Sequence, residues 1–299
     1  MNDLAFNIAA VERDTGLSKD VLRVWERRYG FPKPERDVNG ERSYPAEQVE
    51  RLRLIKRLMD QGHRPGKLLA APAESLAQLA PRNPGRGASQ EPGSDIAEVL
   101  ALLKKHDAAG YQQAMQQRLA RQGLQAFVQD TVAPLTAQVG AAWESGDFEV
   151  FEEHLFTELT KRLLRQSISA LPVGREPRLL LTSVANEEHV LGLLMIEALF
   201  ALEGAECIPL GTQMPLLEIA RAAEAHAADI VALSFSVAFP PRQIPGLLQQ
   251  LRLALPAHIE LWVGGGGVAR LAPQQGVRLL PGFGAALEAL AEWRAAHAS

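Results

Sequence analysis

The spacing of apolar residues near the amino terminus predicts a small helical unit. Residues 7–14 and 18–28 have the 3.6-residue period of two short helices, and Asn7 and Ser18 are placed to act as their N-caps. A longer amphipathic helix is predicted over 46–61, where apolar side chains recur at helical spacing. Together these patterns predict an all-α head that contains a helix-turn-helix.

Two segments break this periodicity. Residues 31–45 are rich in Pro, Gly and Asn, and the dipeptide Asn39-Gly40 within them predicts the turn of a hairpin. Residues 81–94 read PRNPGRGASQEPGS, which is dense in Pro, Gly and Ser and poor in apolar side chains. This composition predicts a flexible linker and the boundary of a domain.

The rest of the chain divides into a helical part and a mixed part. From 95 to about 170 only helical periodicity occurs, and its three interruptions predict a bundle of four helices. Beyond 172, apolar runs alternate with helical stretches, which predicts an α/β, Rossmann-like, doubly wound parallel sheet. The apolar runs are 178–184, 206–210, 229–235 and 259–263, and the helical stretches are 187–203, 215–227, 243–254 and 283–297. The multidomain organisation predicted is a head (1–80), a linker (81–94), a bundle (95–172) and a sheet domain (173–299).

Composition narrows the class of protein. The chain has 299 residues and is 47% hydrophobic, which is enough for two or three packed cores. No apolar run reaches the roughly 18 residues of a membrane span, and the amino terminus lacks the pattern of a signal peptide. The single cysteine, Cys207, cannot form an internal disulfide, and we expect it to be a small buried side chain. These features predict a cytoplasmic protein with no membrane partner.

Charge is distributed unevenly along the chain. The net charge is −4, but residues 1–70 contain 14 Lys and Arg against 11 Asp and Glu, a net charge of +3. The remainder therefore carries −7. A basic head on an acidic body favours a polyanionic partner at one end only.

The motifs of the head are typical of a DNA-binding unit. Leu22-Arg23-x-Trp25-Glu26-Arg27-Arg28-Tyr29-Gly30, followed by Arg36, Gly40, Arg42 and Tyr44, resembles the MerR family of winged helix-turn-helix regulators. From the second helix, the guanidinium groups of Arg23, Arg27 and Arg28 can reach guanine edges or phosphates of a double-stranded operator. Arg42 and Tyr44 lie on the hairpin, which as a wing would meet backbone phosphate. The alternative is that the arginines form only a solvated helix face.

A second set of motifs occupies the carboxy-terminal third. Glu187-x-His189-x-x-Gly192 is followed by Ser234-Phe-Ser236 and then by four glycines at 264–267. The set resembles the signature of the corrinoid (vitamin B12) Rossmann-like domain, which reads acid-x-His-x-x-Gly, Ser-x-Leu and Gly-Gly. The resemblance implies that His189 is the lower axial ligand of cobalt and that Glu187 is the acid that supports it. It further implies cofactor contacts at Gly192, Ser234, Ser236, Gly264 and Gly265, with Ser236 standing where Leu is usual.

The bundle carries a third motif. Trp143 is followed ten and eleven residues later by Glu153 and His154, and this spacing resembles the cobalamin-dependent MerR photoreceptor-repressors of the CarH/LitR type. The resemblance implies that these three side chains cover the upper face of adenosylcobalamin. Separately, Trp143 is also typical of a bundle core, and Glu153-His154 of a solvated face. Light-sensing relatives can have a His directly after the Trp, whereas this chain has Glu144.

Taken together, the resemblance implies a transcriptional repressor and not an enzyme. Adenosylcobalamin would be its light-sensing chromophore and would control self-association, to a dimer or tetramer, and binding to operator DNA. Three alternatives stay open: a light-independent MerR regulator that responds to corrinoid supply or redox state, a cobalamin-dependent methyl carrier, and a cofactor-free MerR repressor controlled by a protein partner. No GxxxxGK[ST] sequence occurs, which argues against a P-loop nucleotidase.

Overall fold

The computed structural model of the protein describes residues 5–15, 17–36, 40–60, 63–72, 75–76 and 93–297. These residues form two compact units. One unit contains the described residues up to 76 together with 141–150, and the other contains 93–140 and 151–297. The helical segment that precedes 141 therefore belongs to the same unit as the carboxy-terminal sheet.

The amino-terminal unit is a winged helix-turn-helix, as the fold class predicted. Its elements are β1 (Ala5–Asn7), α1 (Ile8–Thr15), α2 (Lys19–Tyr29), β2 (Glu35–Arg36), β3 (Arg42–Pro45), α3 (Ala46–Asp60) and α4 (Pro65–Ala70). The predicted caps are confirmed: Asn7 Oδ1 accepts from Ala10 N at 2.8 Å, and Ser18 Oγ accepts from Val21 N at 3.3 Å. Gly30, in the left-handed conformation, ends α2. The predicted turn residue Asn39 and residues 81–92 of the predicted linker lie outside the described residues, whereas residues 93 and 94 of that linker belong to the helix Gly93–Lys104.

A small antiparallel sheet completes the head. Its strand order is β1-β3-β2, so β3 pairs with both of its neighbours. The apolar pattern did not predict β1, because three residues are too few to show an alternation. Most elements of the unit contribute at least one side chain to its hydrophobic core, which includes Val11, Leu22, Trp25, Tyr44 and Leu52.

The predicted four helices occupy the middle of the chain. They are α5 (Gly93–Lys104), α6 (Ala108–Ala126), α7 (Ala133–Ser145) and α8 (Val150–Ser169), with a π-helical segment at Phe127–Val132. Gly123, with φ of 75°, kinks α6 before that segment. A buried hydrogen bond of 2.6 Å between the hydroxyls of Tyr111 and Thr160 joins α6 to α8.

The carboxy-terminal part is a doubly wound parallel sheet. It is built from β4 (Arg175–Val184), α9 (Leu191–Leu202), β5 (Ala205–Met214), α10 (Leu216–Ala225), β6 (Ile230–Ser234), α11 (Ile244–Ala254), β7 (Glu260–Gly264), β8 (Arg278–Leu280) and α12 (Phe283–His297). The strand order is β5-β4-β6-β7-β8, and all pairs are parallel. The four strands and four helices predicted here are confirmed, and the three-residue β8 is an addition.

Successive residues of the central strands enter two different cores. Leu180 and Val231 belong to the cluster under α10 and α11, whereas Leu181 and Ala232 belong to the cluster under α9 and α12. Both faces of the sheet are therefore covered, which explains why the strands read as continuous apolar runs. In such a sheet the loops at the carboxyl ends of the strands are the usual place for a ligand.

Candidate functional site

Glu187 and His189 lie in the loop between β4 and α9, at the carboxyl end of the central strand. Asn186, with φ of 68°, turns the chain just before them. The side chain of Glu187 is 1% exposed, whereas that of His189 is 60% exposed. The loop thus buries a carboxylate and presents an imidazole.

Hydrogen bonds fix the orientation of this imidazole. Glu187 Oε1 accepts from His189 Nδ1 at 2.7 Å and from the His189 backbone N at 3.0 Å. Glu187 Oε2 accepts from the Ser236 backbone N at 2.8 Å and from Ser236 Oγ at 2.9 Å. Because Nδ1 donates to the carboxylate, Nε2 is left with the lone pair that can bind a metal.

The electrostatics of the pair follow from these bonds. Burial alone raises the pKa of Glu187, but the hydrogen bonds from His189 and Ser236 outweigh it and the net pKa lies below its ordinary value. The hydrogen bond to Glu187 raises the pKa of His189 and outweighs the opposing effect of burial. The carboxylate is therefore ionised at neutral pH, and it increases the basicity of the imidazole as a ligand.

Two residues that the sequence did not single out support the loop. Ser183 Oγ donates to the backbone oxygen of Glu187 at 2.6 Å and accepts from Gln213 N at 3.0 Å. Thr182 Oγ1 donates to Gly211 O at 2.9 Å. Both hydroxyls lie at the end of a buried strand, where a polar residue in an apolar run is the only signal the sequence offers.

The small residues of the corrinoid-like motifs pack closely around this loop. A Cβ added to Gly192 would lie 2.9 Å from Ser234 Oγ, so glycine lets α9 start beside that serine. Gly265, with φ of 91°, abuts the backbone of Phe235, and a Cβ there would overlap the Phe235 carbonyl. The three motifs therefore meet at the carboxyl ends of the strands, where Gly264 is the last residue of β7.

The donor set fits a cobalt corrinoid. An exposed imidazole held by a buried carboxylate is a suitable ligand for a cobalt ion, because imidazole nitrogen suits such metals. Glu153 on α8 is close enough to raise the pKa of His189, so the structure brings that predicted residue to the same site. Glu153 Oε1 also accepts from Thr157 Oγ1 at 2.7 Å. His154, next in sequence, is exposed.

Trp143 and Glu144 lie in the last turn of α7. The indole of Trp143 is half-buried, so it is neither a fully buried core residue nor a free surface side chain. Glu144 is exposed. An exposed carboxylate offers a metal an oxygen ligand, whereas a His at this position would offer nitrogen.

On the head, three predicted DNA contacts occupy one helix. Arg23, Arg27 and Arg28 are all exposed on α2, the second helix of the helix-turn-helix. Arg23 forms a 3.3 Å ion pair with Asp20, a weak surface pair that DNA can displace. The guanidinium of Arg28 lies 5.4 Å from the centre of the Tyr29 ring. The geometry suits a recognition helix.

The structure places the two predicted wing contacts differently. Tyr44 is fully buried in the core of the head, so the prediction that it meets phosphate is wrong for this conformation. Burial also raises the pKa of its hydroxyl. Arg42 forms a 2.8 Å ion pair with Glu26 of α2 and is only 28% exposed, so it ties the wing to the recognition helix. Both side chains point to the same side of β3 because they are two residues apart.

Comparisons with known proteins agree with this geometry. Residues 6–68 match the MerR HTH family regulatory protein model, and residues 96–166 and 177–292 each match a B12 binding domain. The HTH-type transcriptional repressor CarH of Myxococcus xanthus is 33% identical over 89% of this chain and 90% of its own length. The repressor CarA of the same organism is 29% identical over 88% of each chain. The mercuric resistance operon regulatory protein of Bacillus cereus is 36% identical over 20% of this chain and 45% of its own.

A MerR-type helix-turn-helix joined to B12-binding domains defines a DNA-binding transcriptional regulator with a cobalamin cofactor. The chain belongs to the family of the HTH-type transcriptional repressors CarH and CarA. Both of these relatives are repressors, and the similarity extends over nearly their whole length. The chain is therefore a regulator and not an enzyme, and the methyl-carrier alternative is set aside. Among the described residues, no helix is long and apolar enough to cross a membrane.

Proposed function

We propose that the protein is a light-responsive repressor that binds operator DNA when adenosylcobalamin is bound and releases it on illumination. The observation that supports this most directly is the exposed imidazole of His189, held through Nδ1 by the buried carboxylate of Glu187. This arrangement occurs in a chain whose other unit carries exposed arginines on a helix-turn-helix. The bound cofactor would supply a cobalt–carbon bond that light can break.

The residues of the chain would divide the work of binding. His189 would bind the cobalt, and Glu187 with Ser236 would keep the imidazole ring oriented. The rest of the cofactor would lie at the carboxyl ends of the strands, where the small residues Gly192, Ser234, Gly264 and Gly265 would leave room for it.

Trp143, Glu153 and His154 are the proposed contacts to the adenosyl group, to which an indole would offer an apolar surface and the polar side chains would offer hydrogen bonds. Glu153 supports this assignment because its charge reaches His189 in the described structure.

Self-association is the proposed link between the two units. A cofactor that binds the assembled dimer or tetramer more tightly than the free chain shifts the population toward assembly. Assembly in turn raises the affinity for DNA, because linked recognition helices bind two half-sites at once. Loss of the adenosyl group removes the preference for the assembled state.

The test compares one sample in darkness and in light. An operator is first selected from a random duplex library with the adenosylcobalamin-loaded chain kept dark. Fluorescence anisotropy then measures operator affinity, and light scattering measures mass, before and after green or near-UV illumination. We expect illumination to weaken operator binding at least about tenfold, a loss of about 1.4 kcal/mol, and to reduce the mass. Unchanged affinity and mass would remove the light-sensing function.

A second candidate function is regulation by corrinoid supply without light. It is favoured by the exposed Glu144, which stands where light-sensing relatives can have His. In that case adenosylcobalamin would change operator affinity equally in dark and illuminated samples. Cofactor binding itself is tested with His189→Ala, which should bind cobalamin more weakly, whereas His226→Ala, a matched exposed histidine, should not.

A further inference from the structure

A cavity of about 330 Å³ lies in the unit that contains the carboxy-terminal sheet, beside the loop that carries His189. Its walls come from α8, α9 and the edge of the sheet formed by β4 and β5. Most of the wall is apolar, with Ile168, Leu181, Leu193 and Leu194 among its side chains. Val190, which follows His189, lines the cavity, whereas Gly192 and the residues of the 234–236 and 264–267 motifs do not.

One buried acid faces this cavity. Glu197, on α9, is 8% exposed and lines the cavity wall. Within the described part of the chain its carboxyl makes no hydrogen bond or ion pair; only its backbone oxygen accepts, from the thiol of Cys207 at 3.8 Å. Buried polar groups are nearly always partnered. The carboxyl is therefore available to bind a ligand in the cavity.

A basic residue also lines the cavity. Arg165, on α8, lines the same cavity, and its charge lowers the pKa of Glu197. Burial has the larger effect, so the net pKa of Glu197 lies above its ordinary value. The two side chains interact electrostatically but form no ion pair within hydrogen-bonding distance. The cavity is therefore lined by one positive and one negative side chain on two different helices.

We propose that this cavity binds an α-amino acid with an apolar side chain. The ammonium group would bond to Glu197, the carboxylate to Arg165, and the side chain would pack on Leu193 and Leu194. Small-molecule sites have volumes of about 300–1,000 Å³, and a cavity at the lower end of that range suits a molecule of this size. The ligand would bridge α8, which carries Glu153, and α9, which follows His189.

Isothermal titration calorimetry on the full chain tests the proposal, with and without adenosylcobalamin in the dark. The probes are L-alanine, L-valine, L-leucine, L-methionine and L-phenylalanine, each at millimolar concentration. For the tightest binder, two analogues each remove one charge: its amide lacks the carboxylate, and its deaminated acid lacks the amine. We expect each analogue to bind at least about tenfold more weakly, because each loses a hydrogen bond to a charged group.

Three variants test the assigned residues. Glu197→Gln should weaken binding at least about tenfold while the chain stays folded, because a neutral amide costs less to bury than a carboxylate. Arg165→Gln should abolish the preference for the free acid over the amide. Glu224→Gln, an exposed acid on α10, is the matched control and should bind as the parent does. Binding by none of the five amino acids, or unchanged binding by Glu197→Gln, would overturn the proposal.

Discussion

Replacing Glu187 with Gln should weaken cobalamin binding strongly, although the change is nearly isosteric. The carboxylate accepts two hydrogen bonds on each oxygen, from His189 on one side and Ser236 on the other. A glutamine has only one acceptor oxygen, so its NH₂ group must face two donors. Losing two hydrogen bonds to a charged acceptor would cost about 3–6 kcal/mol if the surrounding side chains kept their positions.

The loss in affinity should be smaller than that sum. His189 is 60% exposed, so its ring can turn away from the amide and recover part of the energy by bonding to water. Residues that orient a metal ligand typically contribute 10- to 100-fold in metal affinity. We therefore expect the dissociation constant of adenosylcobalamin to rise by about 10- to 100-fold, or roughly 1.4–2.7 kcal/mol.

The assay is an equilibrium titration followed by absorbance in the dark, with thermal unfolding as a check on folding. Glu188→Gln is the control, because Glu188 is an exposed acid in the same loop and has the same charge. Its dissociation constant should stay within about threefold of the parent, as expected of a surface charge. A Glu187→Gln variant that folds normally and binds cobalamin with unchanged affinity and spectrum would refute the proposed role of the carboxylate.

Three further predictions concern other parts of the chain. Tyr44→Phe should leave operator affinity unchanged and raise thermal stability by up to about 1 kcal/mol, since the buried Tyr44 hydroxyl has no hydrogen-bond partner among the described residues. Arg27→Ala should weaken operator binding and reduce its salt dependence in anisotropy titrations, whereas Arg42→Ala should also lower the melting temperature because it breaks the ion pair with Glu26. Glu197 has a raised pKa when folded, so its contribution to stability is present below its ordinary pKa of 4.5 and is lost as pH rises through the raised value. At pH values above the raised pKa, Glu197→Gln should be more stable than the parent in denaturant titrations. Equal stability of the two at all pH values would contradict the raised pKa of Glu197.

The sheet could be predicted from sequence because its chemistry is simple. Strands buried on both faces must be continuously apolar, and the runs at 178–184 and 229–235 have that property. β1 and β8 could not be found in this way, because each has only three residues and depends on a partner strand for its existence. Tertiary pairing, which the local pattern does not encode, decides such short strands.

The candidate site could be predicted only in part. The spacing of Glu187 and His189 predicted the loop. It did not predict the support from Ser183, because Ser183 bonds to Gln213, 30 residues later in the chain. The sequence of the hairpin shows that Arg42 and Tyr44 share one face of a strand, but it does not show whether that face is inward, so the burial of Tyr44 could not be predicted. Ser236 replaces a customary Leu, and its hydroxyl bond to Glu187 depends on a contact across 49 residues.

The glycine motif acts on His189 through a chain of backbone contacts. Gly267 N donates to Phe235 O at 2.9 Å, and Phe235 N donates to Gly264 O at 3.0 Å, so the glycines position the residue before Ser236. Ser236 in turn donates to Glu187.

Gly265→Ala should therefore weaken cobalamin binding without touching the imidazole, because its φ of 91° strains any side chain and the added Cβ overlaps the Phe235 carbonyl. Such strain costs about 1–3 kcal/mol, and it is relieved only if the 235–236 backbone shifts away from Glu187. The matched control is Gly246→Ala, on α11, where a Cβ meets nothing within 4 Å. If both variants bind cobalamin like the parent in the same titration, the glycine motif does not act through Ser236.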